Sequence, residues 1–301
     1  MEINIYFGKK KIKVTYLAVA AVILAVIACV CIVVLIPGRG LATVQQARKL
    51  LTAQRYIIHA GGFVTDEAGA QHSYTNSLEA LSNCYENGNR VSEFDFMITA
   101  DDEIICAHND DDNVLWAHGV TDAGTALDPP TLDRFKSATF EGGLTTMSLD
   151  DLAAFMNGHD DFYVVTDVKD NNVLVCRMIA EKYPKLRQNF IVQIYHPDEY
   201  DKIRDLGFPY IIFTLYRATD EELKPDSLTA AANHGPLVGF CFWTDFSEQL
   251  PESYAALKET KLPLFVHTVN DTEEMRSFIE MGISGIYTDV VNKEDQYFQG
   301  D

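Results

Sequence analysis

Eight short runs of apolar residues, rich in β-branched and aromatic side chains, recur along the chain from residue 56 onward. They are Tyr56–Ala60, Val91–Met97, Phe162–Val168, Phe190–Tyr195, Pro209–Leu215, Leu237–Phe242, Leu262–Thr268 and Ile283–Tyr287. Amphipathic stretches with helical spacing lie between them: Asn76–Glu86, Leu149–Met156, Asn172–Tyr183, Pro197–Leu206 and Thr272–Met281. Strands that are apolar on both faces belong in a parallel sheet covered by helices. Eight strand–helix units in about 240 residues predict an α/β fold, a (β/α)8 TIM barrel. The competing arrangement is an open doubly wound sheet, but no glycine-rich dinucleotide loop follows the first strand.

The amino-terminal segment obeys a different rule. Val14 to Ile36 is 23 residues without a charge (VTYLAVAAVILAVIACVCIVVLI), preceded by Lys9, Lys10, Lys11 and Lys13. As a helix it would reach about 34 Å, enough to cross the hydrocarbon core of a bilayer. A cleaved signal would have a shorter apolar region ending in small residues, whereas this run ends in Val33-Val34-Leu35-Ile36. The expected layout is therefore a basic cytoplasmic stub (1–13), a transmembrane anchor (14–36), and a linker with a lead-in helix at Thr43–Gln54 (37–55). The barrel follows at 56–301. Lysines on the amino-terminal side leave that end in the cytoplasm, so a single-pass protein of the cell membrane with an extracytoplasmic barrel is expected.

Charge divides the same way. The chain holds 24 Lys+Arg against 44 Asp+Glu, a net charge of −20. Four lysines and one glutamate fall in the first 37 residues, leaving 20 basic and 43 acidic side chains, −23, in the other 264. So acidic a domain is not built for nucleic acid, whose phosphates demand a basic face. Cys29 and Cys31 fall in the apolar run, and Cys84, Cys106, Cys176 and Cys241 are scattered without zinc spacing, so neither a disulfide nor a zinc site is expected.

In a (β/α)8 barrel the chemistry lies at the carboxyl ends of the strands. Polar residues gather there: His59 after the first run, Glu93 and Asp95 in the second, Asp167 and Lys169 in the third, His267-Thr268 in the seventh. Residues two apart share one face of a strand, so Glu93 pairs with Asp95 and Asp167 with Lys169. An additional strand at Glu103–His108 brings His108 to the same end, and a long Asp-, Gly- and Thr-rich insertion (about 109–146) follows it. Three converging carboxylates repel one another unless a cation lies between them, and oxygen-only ligation by Glu93, Asp95 and Asp167 suits Mg²⁺ or Ca²⁺. His59 and His108 can then exchange protons near neutral pH, and Lys169 can offset charge on a phosphoryl group. Each residue alone fits an ordinary hydrogen-bonded position, and Asp167 with Lys169 fits an interior salt bridge. Together they point to a metal-assisted phosphoryl or acyl hydrolase.

The motifs resemble those of the glycerophosphodiester phosphodiesterase family, within the phosphatidylinositol phospholipase C-like barrel superfamily. His59-Ala60-Gly61-Gly62 resembles its HRG, Thr75-Asn76-Ser77 its PENT, Glu93-Phe94-Asp95 its E-x-D and His108-Asn109 its HD. Met147-Ser148-Leu149-Asp150-Asp151-Leu152 is similar to its P-T-L-x-E-x-L, Asp167-Val168-Lys169 to its E-x-K, Val266-His267-Thr268-Val269-Asn270 to its V-W-T-V-N, and Gly285-Ile286-Tyr287-Thr288-Asp289 to its G-I-x-T-D. The order holds from about residue 56 to 290. Three departures stand out: Ala60 for the arginine of HRG, Thr75 for the glutamate of PENT, and Asp167 for the glutamate of E-x-K. The Asp-x-Lys pair, with fifteen residues from Glu93 to His108, is also similar to sphingomyelinase D and phospholipase D toxins.

The resemblance implies a barrel enzyme that cleaves phosphodiesters with bound Ca²⁺ or Mg²⁺. Glu93, Asp95 and Asp167 would hold the metal, His59 and His108 would form the acid–base pair, and Lys169 would join them as a catalytic residue. Asn76, Gln193, Tyr195, Arg217, Trp243 and Thr268 are expected to touch substrate, with Arg217 replacing the missing arginine charge. The implied substrates are glycerophosphodiesters, lysophospholipids or a glycerophosphate polymer near the membrane, hydrolysed to an alcohol and a phosphomonoester. A lyase of phospholipase D type releasing a cyclic phosphate is the alternative enzyme. An inactive barrel binding a cell-surface phosphate ligand is the alternative outside enzymes.

Overall fold

The computed structural model describes residues 2–7, 10–15, 43–108, 129–138 and 143–297. They divide into two compact units, Met1–Arg39 and Gly40–Asp301. In the first, β1 (Glu2–Phe7) pairs with β2 (Lys10–Thr15) in an antiparallel hairpin, with Glu2 opposite Thr15 and Phe7 opposite Lys10. Ile3, Ile5 and Phe7, then Ile12 and Val14, alternate with other residues at the period of a strand. The expected anchor therefore needs correction at its start, because Val14 and Thr15 belong to this hairpin. Its remainder, residues 16–36, lies outside the described residues. Among the described residues, no helix is long and apolar enough to cross a membrane.

The second unit is the expected (β/α)8 barrel. Its strands are β3 (Tyr56–Ile58), β6 (Val91–Ile98), β9 (Tyr163–Val168), β10 (Phe190–Ile194), β11 (Tyr210–Thr214), β12 (Gly239–Trp243), β13 (Leu264–His267) and β14 (Gly285–Thr288). All pair in parallel, in the order β3-β14-β13-β12-β11-β10-β9-β6, and a β3–β6 pairing closes the cylinder. Closure removes the exposed edges that an open sheet would leave. Between β3 and β6 lies a small antiparallel ribbon, β4 (Val64–Thr65) with β5 (Gln71–His72). β7 (Ile104–Cys106) turns back antiparallel onto β6, and β8 (Met147–Ser148) adds to β7.

Alternation along the strands builds two cores. Ile57, Val91, Val165, Ile191, Ile212 and Phe265 fill the cylinder, and Ala47 and Leu51 of the helix Val44–Gln54 close its amino-terminal end. Thr43 caps that helix by accepting from the Gln46 amide, and Arg48 Nε donates to the Leu237 carbonyl at 3.0 Å. Phe94, Val164, Phe190, Phe213 and Phe240 point outward under the helices. Local sequence starts those helices where the barrel needs them: Ser77 caps Leu78–Glu86, Asp271 caps Thr272–Glu280, and Ser148 with Asp151 forms a capping box on Leu149–Gly158.

Of the long insertion, 129–138 and 143–146 are described. Its short helix, Leu132–Ser137, buries Phe135 against Met97, Ile105 and Ala107. The Leu132 amide donates to Asp101 at 2.9 Å, and the Thr145 amide donates to Glu79 at 2.8 Å. The insertion is thus fastened at both ends to the β6–β7 hairpin and the helix after Ser77. The rest of the insertion, residues 109–128 and 139–142, lies outside the described residues.

Candidate active site

The carboxyl end of β3 makes a tight turn that aims His59 into the barrel. Ala60, Gly61 and Gly62 all have positive φ (47°, 83° and 81°). At Gly62 an added Cβ would lie 2.7 Å from Ile58 Cγ2, 2.8 Å from Val291 Cγ2 and 3.0 Å from the Asp289 carbonyl oxygen. Gly62→Ala is therefore expected to cost about 2–3 kcal/mol, read as a fall in the urea midpoint at unchanged slope. The turn also exposes the Ala60 amide, which donates to Glu93 Oε2 at 3.0 Å.

Asn76 adopts φ 48°, a left-handed conformation that asparagine tolerates better than most residues. Its side-chain amide bonds β6 at both ends. Nδ2 donates to Asp95 Oδ2 at 2.9 Å, and Oδ1 accepts from the Asp95 backbone amide at 3.1 Å. Asn76 therefore orients Asp95.

Glu93, Asp95 and Asp167 each bring one oxygen within 4.8 Å of the others. Register explains the convergence, because Asp95 on β6 lies directly opposite Asp167 on β9. Glu93 and Asp95 are 2 % and 1 % exposed, and Glu93 Oε1 has no hydrogen-bond partner. Lys169 Nζ lies 2.8 Å from Asp95 Oδ1 and 2.9 Å from Asp167 Oδ2. The salt-bridge reading of Asp167 and Lys169 is thus correct, and the bridge includes Asp95. Three clustered carboxylates with an unsatisfied buried oxygen and an all-oxygen donor set fit a hard divalent cation.

The electrostatics follow from burial and these neighbours. Burial, reinforced by the charge of Asp95, holds the Glu93 carboxyl well above the usual range. Burial also opposes ionisation of Asp167, but Lys169 and the hydroxyls of Tyr195 and Tyr216 outweigh it and lower the pKa. Tyr216 OH donates to Asp167 Oδ1 at 2.8 Å, and Tyr195 OH donates to the same oxygen. For Lys169 burial is again outweighed, here by Asp95 and Asp167, and the ammonium is held more tightly than normal.

His59 Nδ1 bonds Asp289 Oδ1 at 2.8 Å, and its Nε2 lies 4.0 Å from Glu93 Oε2. Asn270 Nδ2 donates to the other Asp289 oxygen at 2.7 Å, so a chain Asn270–Asp289–His59 fixes the imidazole from behind. Burial works against the charged ring, but the Asp289 hydrogen bond and the charge of Glu93 raise its pKa to about 9. A histidine raised from 6.5 to about 9 on folding stabilises the fold fully below pH 6.5, and that contribution is lost as pH rises through about 9. In chelator, the melting temperature of wild type should therefore exceed that of Asp289→Asn most near pH 6.5, with the gap closing toward pH 10. His108 approaches from the end of β7. The Tyr74 ring stands between the histidines, 4.8 Å from the His59 ring and 5.7 Å from the His108 ring by centroids.

The glycerophosphoryl diester phosphodiesterase family model matches residues 68–293. The chain belongs to this family. Its enzyme class is accordingly a phosphoric diester hydrolase of the glycerophosphodiester phosphodiesterase type. A comparison with curated protein sequences found no match. Solved structures share the fold at low identity. A glycerophosphoryl diester phosphodiesterase from Parabacteroides distasonis is 15% identical over 85% of this chain and 92% of its own, with a TM-score of 0.61. The glycerophosphodiester phosphodiesterase from Thermotoga maritima is 19% identical, over 79% of this chain and 95% of its own, at a TM-score of 0.57. A phosphodiesterase from Oleispira antarctica, solved in complex with the product sn-glycerol-3-phosphate, is 16% identical over 79% of this chain and 94% of its own, at 0.55.

In this glycerophosphodiester phosphodiesterase, the structure brings His59, His108, Glu93, Asp95, Asp167 and Lys169 to one end of the barrel. The remaining expected site residues separate by depth. Gln193, 3 % exposed, lies within the barrel, its Oε1 accepting from Thr214 and from Tyr287 OH at 3.4 Å. Tyr195 is likewise committed to Asp167, and its OH accepts from the Val168 amide at 2.8 Å. Arg217 lies over the Tyr195 ring at 4.4 Å and donates to the Val168 carbonyl at 2.9 Å, bracing the tyrosines that hold Asp167. Trp243, its indole bonded to Gln249 at 3.0 Å, and Thr268 remain partly exposed at strand ends. Tyr74, Tyr216 and Asp289 were not foreseen. Asp289 closes the G-I-x-T-D motif and Tyr216 continues the inward parity of Ile212 and Thr214, so both had a signal; Tyr74 had none. Cys84, Cys106, Cys176 and Cys241 are buried free thiols.

Proposed function

We propose that this enzyme hydrolyses glycerophosphodiesters with Ca²⁺ or Mg²⁺ held by Glu93, Asp95 and Asp167. The convergence of those carboxylates within 4.8 Å carries the reading. Substrates with a glycerol next to the phosphodiester are favoured, among them lysophospholipids and glycerophosphate polymers. A bound divalent cation would polarise the phosphoryl oxygens and offset their charge.

The chain's own residues supply the proton chemistry. His59 and His108 flank the phosphodiester: one takes the proton of the attacking glycerol hydroxyl and the other gives a proton to the leaving alcohol, and water then opens the resulting cyclic phosphate to the phosphomonoester with the two proton transfers reversed. Asp289 holds the His59 ring by Nδ1, leaving Nε2 toward the reacting atoms. Lys169 releases its ion pairs with Asp95 and Asp167 in part to meet the phosphoryl oxygens. Arg217, braced over the tyrosines, supplies positive charge at the rim.

The reading includes a place in the cell. Residues 16–36 are 21 residues without a charge, following Lys9, Lys10, Lys11 and Lys13. They are proposed to anchor the barrel on the extracytoplasmic face of the cell membrane. Phosphorus NMR of reactions with sn-glycero-3-phosphodiesters tests the chemistry. The expected product is a phosphomonoester. Accumulation of a cyclic phosphate that is never opened would assign the lyase reaction instead, and no turnover of any diester would assign a binding barrel.

A further inference from the structure

His267 ends β13, across the barrel mouth from the carboxylates of β6 and β9. Its Nε2 is buried and has no hydrogen-bond partner, although the residue as a whole is partly exposed. Two rings fix the imidazole edge-on: Tyr216 at 5.5 Å and 67°, and Tyr287 at 6.3 Å and 73° between ring planes. Neither tyrosine serves Nε2, because Tyr216 OH is given to Asp167 and Tyr287 OH to Gln193. Tyr216 thus packs its ring on His267 while its hydroxyl reaches Asp167 Oδ1 at 2.8 Å, which places the imidazole beside the carboxylate cluster. A buried polar nitrogen left unpaired is costly, and one held rigidly toward a reaction site is positioned for a ligand.

We propose that His267 is a specificity-determining residue whose Nε2 hydrogen-bonds a hydroxyl of the substrate's glycerol moiety. The inference rests on the phosphodiesterase reading above. The phosphoryl group is already served from the other wall, by Lys169, the carboxylate cluster and the two acid–base histidines. What remains facing β13 is the alcohol portion. A hydroxyl both donates and accepts, and so does an imidazole nitrogen through its two tautomers, so the pair satisfies either arrangement. Burial keeps the ring neutral by lowering its pKa to about 4, so it offers a hydrogen bond without a second cation.

Calorimetric titration of the full-length protein, loaded with Ca²⁺ or Mg²⁺, with sn-glycerol 3-phosphate and with methyl phosphate separates the two halves of the ligand. His267→Phe keeps an aromatic ring against Tyr216 and Tyr287 and removes the nitrogen. It is expected to weaken sn-glycerol 3-phosphate about tenfold and methyl phosphate less than twofold. His267→Gln, whose amide reaches the Nε2 position, is expected to recover most of the loss. Should the phenylalanine variant fail to fold, His267→Gln against His267→Met makes the same comparison. Equal losses for both ligands, no loss for either, or a wild type that binds neither would overturn the proposal. Wild type that binds with this pattern yet hydrolyses no diester would leave the contact standing and reject the reaction.

Discussion

Replacing His59 by alanine is expected to lower kcat on a glycerophosphodiester about 10³-fold, with the circular dichroism spectrum unchanged. The magnitude is that of losing a positioned general acid or base. Position is what the structure supplies. A left-handed turn at Ala60-Gly61-Gly62 delivers the ring, Asp289 holds Nδ1 at 2.8 Å, and Asn270 holds Asp289 in turn. The effect should be graded along that chain, with Asp289→Asn losing less than His59→Ala because the imidazole remains but is free to rotate. His59→Ala with full activity would remove the acid–base assignment. Equal losses in the two variants would mean that orientation, not the ring itself, limits the rate.

The second large effect concerns the carboxylates, where activity and stability should move in opposite directions. Glu93→Gln is expected to cost about 10²–10³ in kcat/KM at subsaturating divalent ion, a loss comparable to removing one electrostatic stabiliser of the transition state. In chelator the same variant should melt at a higher temperature than wild type at pH 8. The sign follows from linkage. Burial and Asp95 raise the folded pKa of Glu93 above its ordinary value of 4.5, so the folded carboxyl keeps its proton where the unfolded one has lost it. The folded state then binds more protons, and stability falls as pH rises above about 4.5 until the folded group also ionises. Glutamine has no proton to lose and escapes this cost. A variant less stable than wild type in chelator at pH 8 would contradict the account of a strained, cation-seeking cluster. Stability given up at a functional site is the common trade.

Much of this molecule was legible before its fold was seen, and for identifiable reasons. The barrel strands were readable because each pairs a buried inward face with a buried outward face, giving short, largely apolar runs such as Phe190–Ile194 and Tyr210–Thr214. Parity along a strand also put Glu93, Asp95 and Asp167 on the inside. Depth was not readable. Gln193 and Tyr195 both face inward, yet one is locked within the barrel by Thr214 and the other holds a carboxylate, because the stagger between neighbouring strands sets the height of each position. Tyr74 reaches the histidines from a segment with φ 60° and no periodicity, so no pattern announced it. The amino-terminal hairpin was missed for the opposite reason: its alternation of Ile3, Ile5, Ile12 and Val14 was visible but overshadowed by the long apolar run beside it.

Hydrolysis of sn-glycero-3-phosphoethanolamine by the purified full-length protein, followed as chelator is added and divalent ion is then restored, tests the central claim most directly. The account predicts that activity falls to the level of Glu93→Gln on chelation and returns with Ca²⁺ or Mg²⁺. Wild-type turnover that chelation leaves untouched, or that persists undiminished in Glu93→Gln, would contradict it.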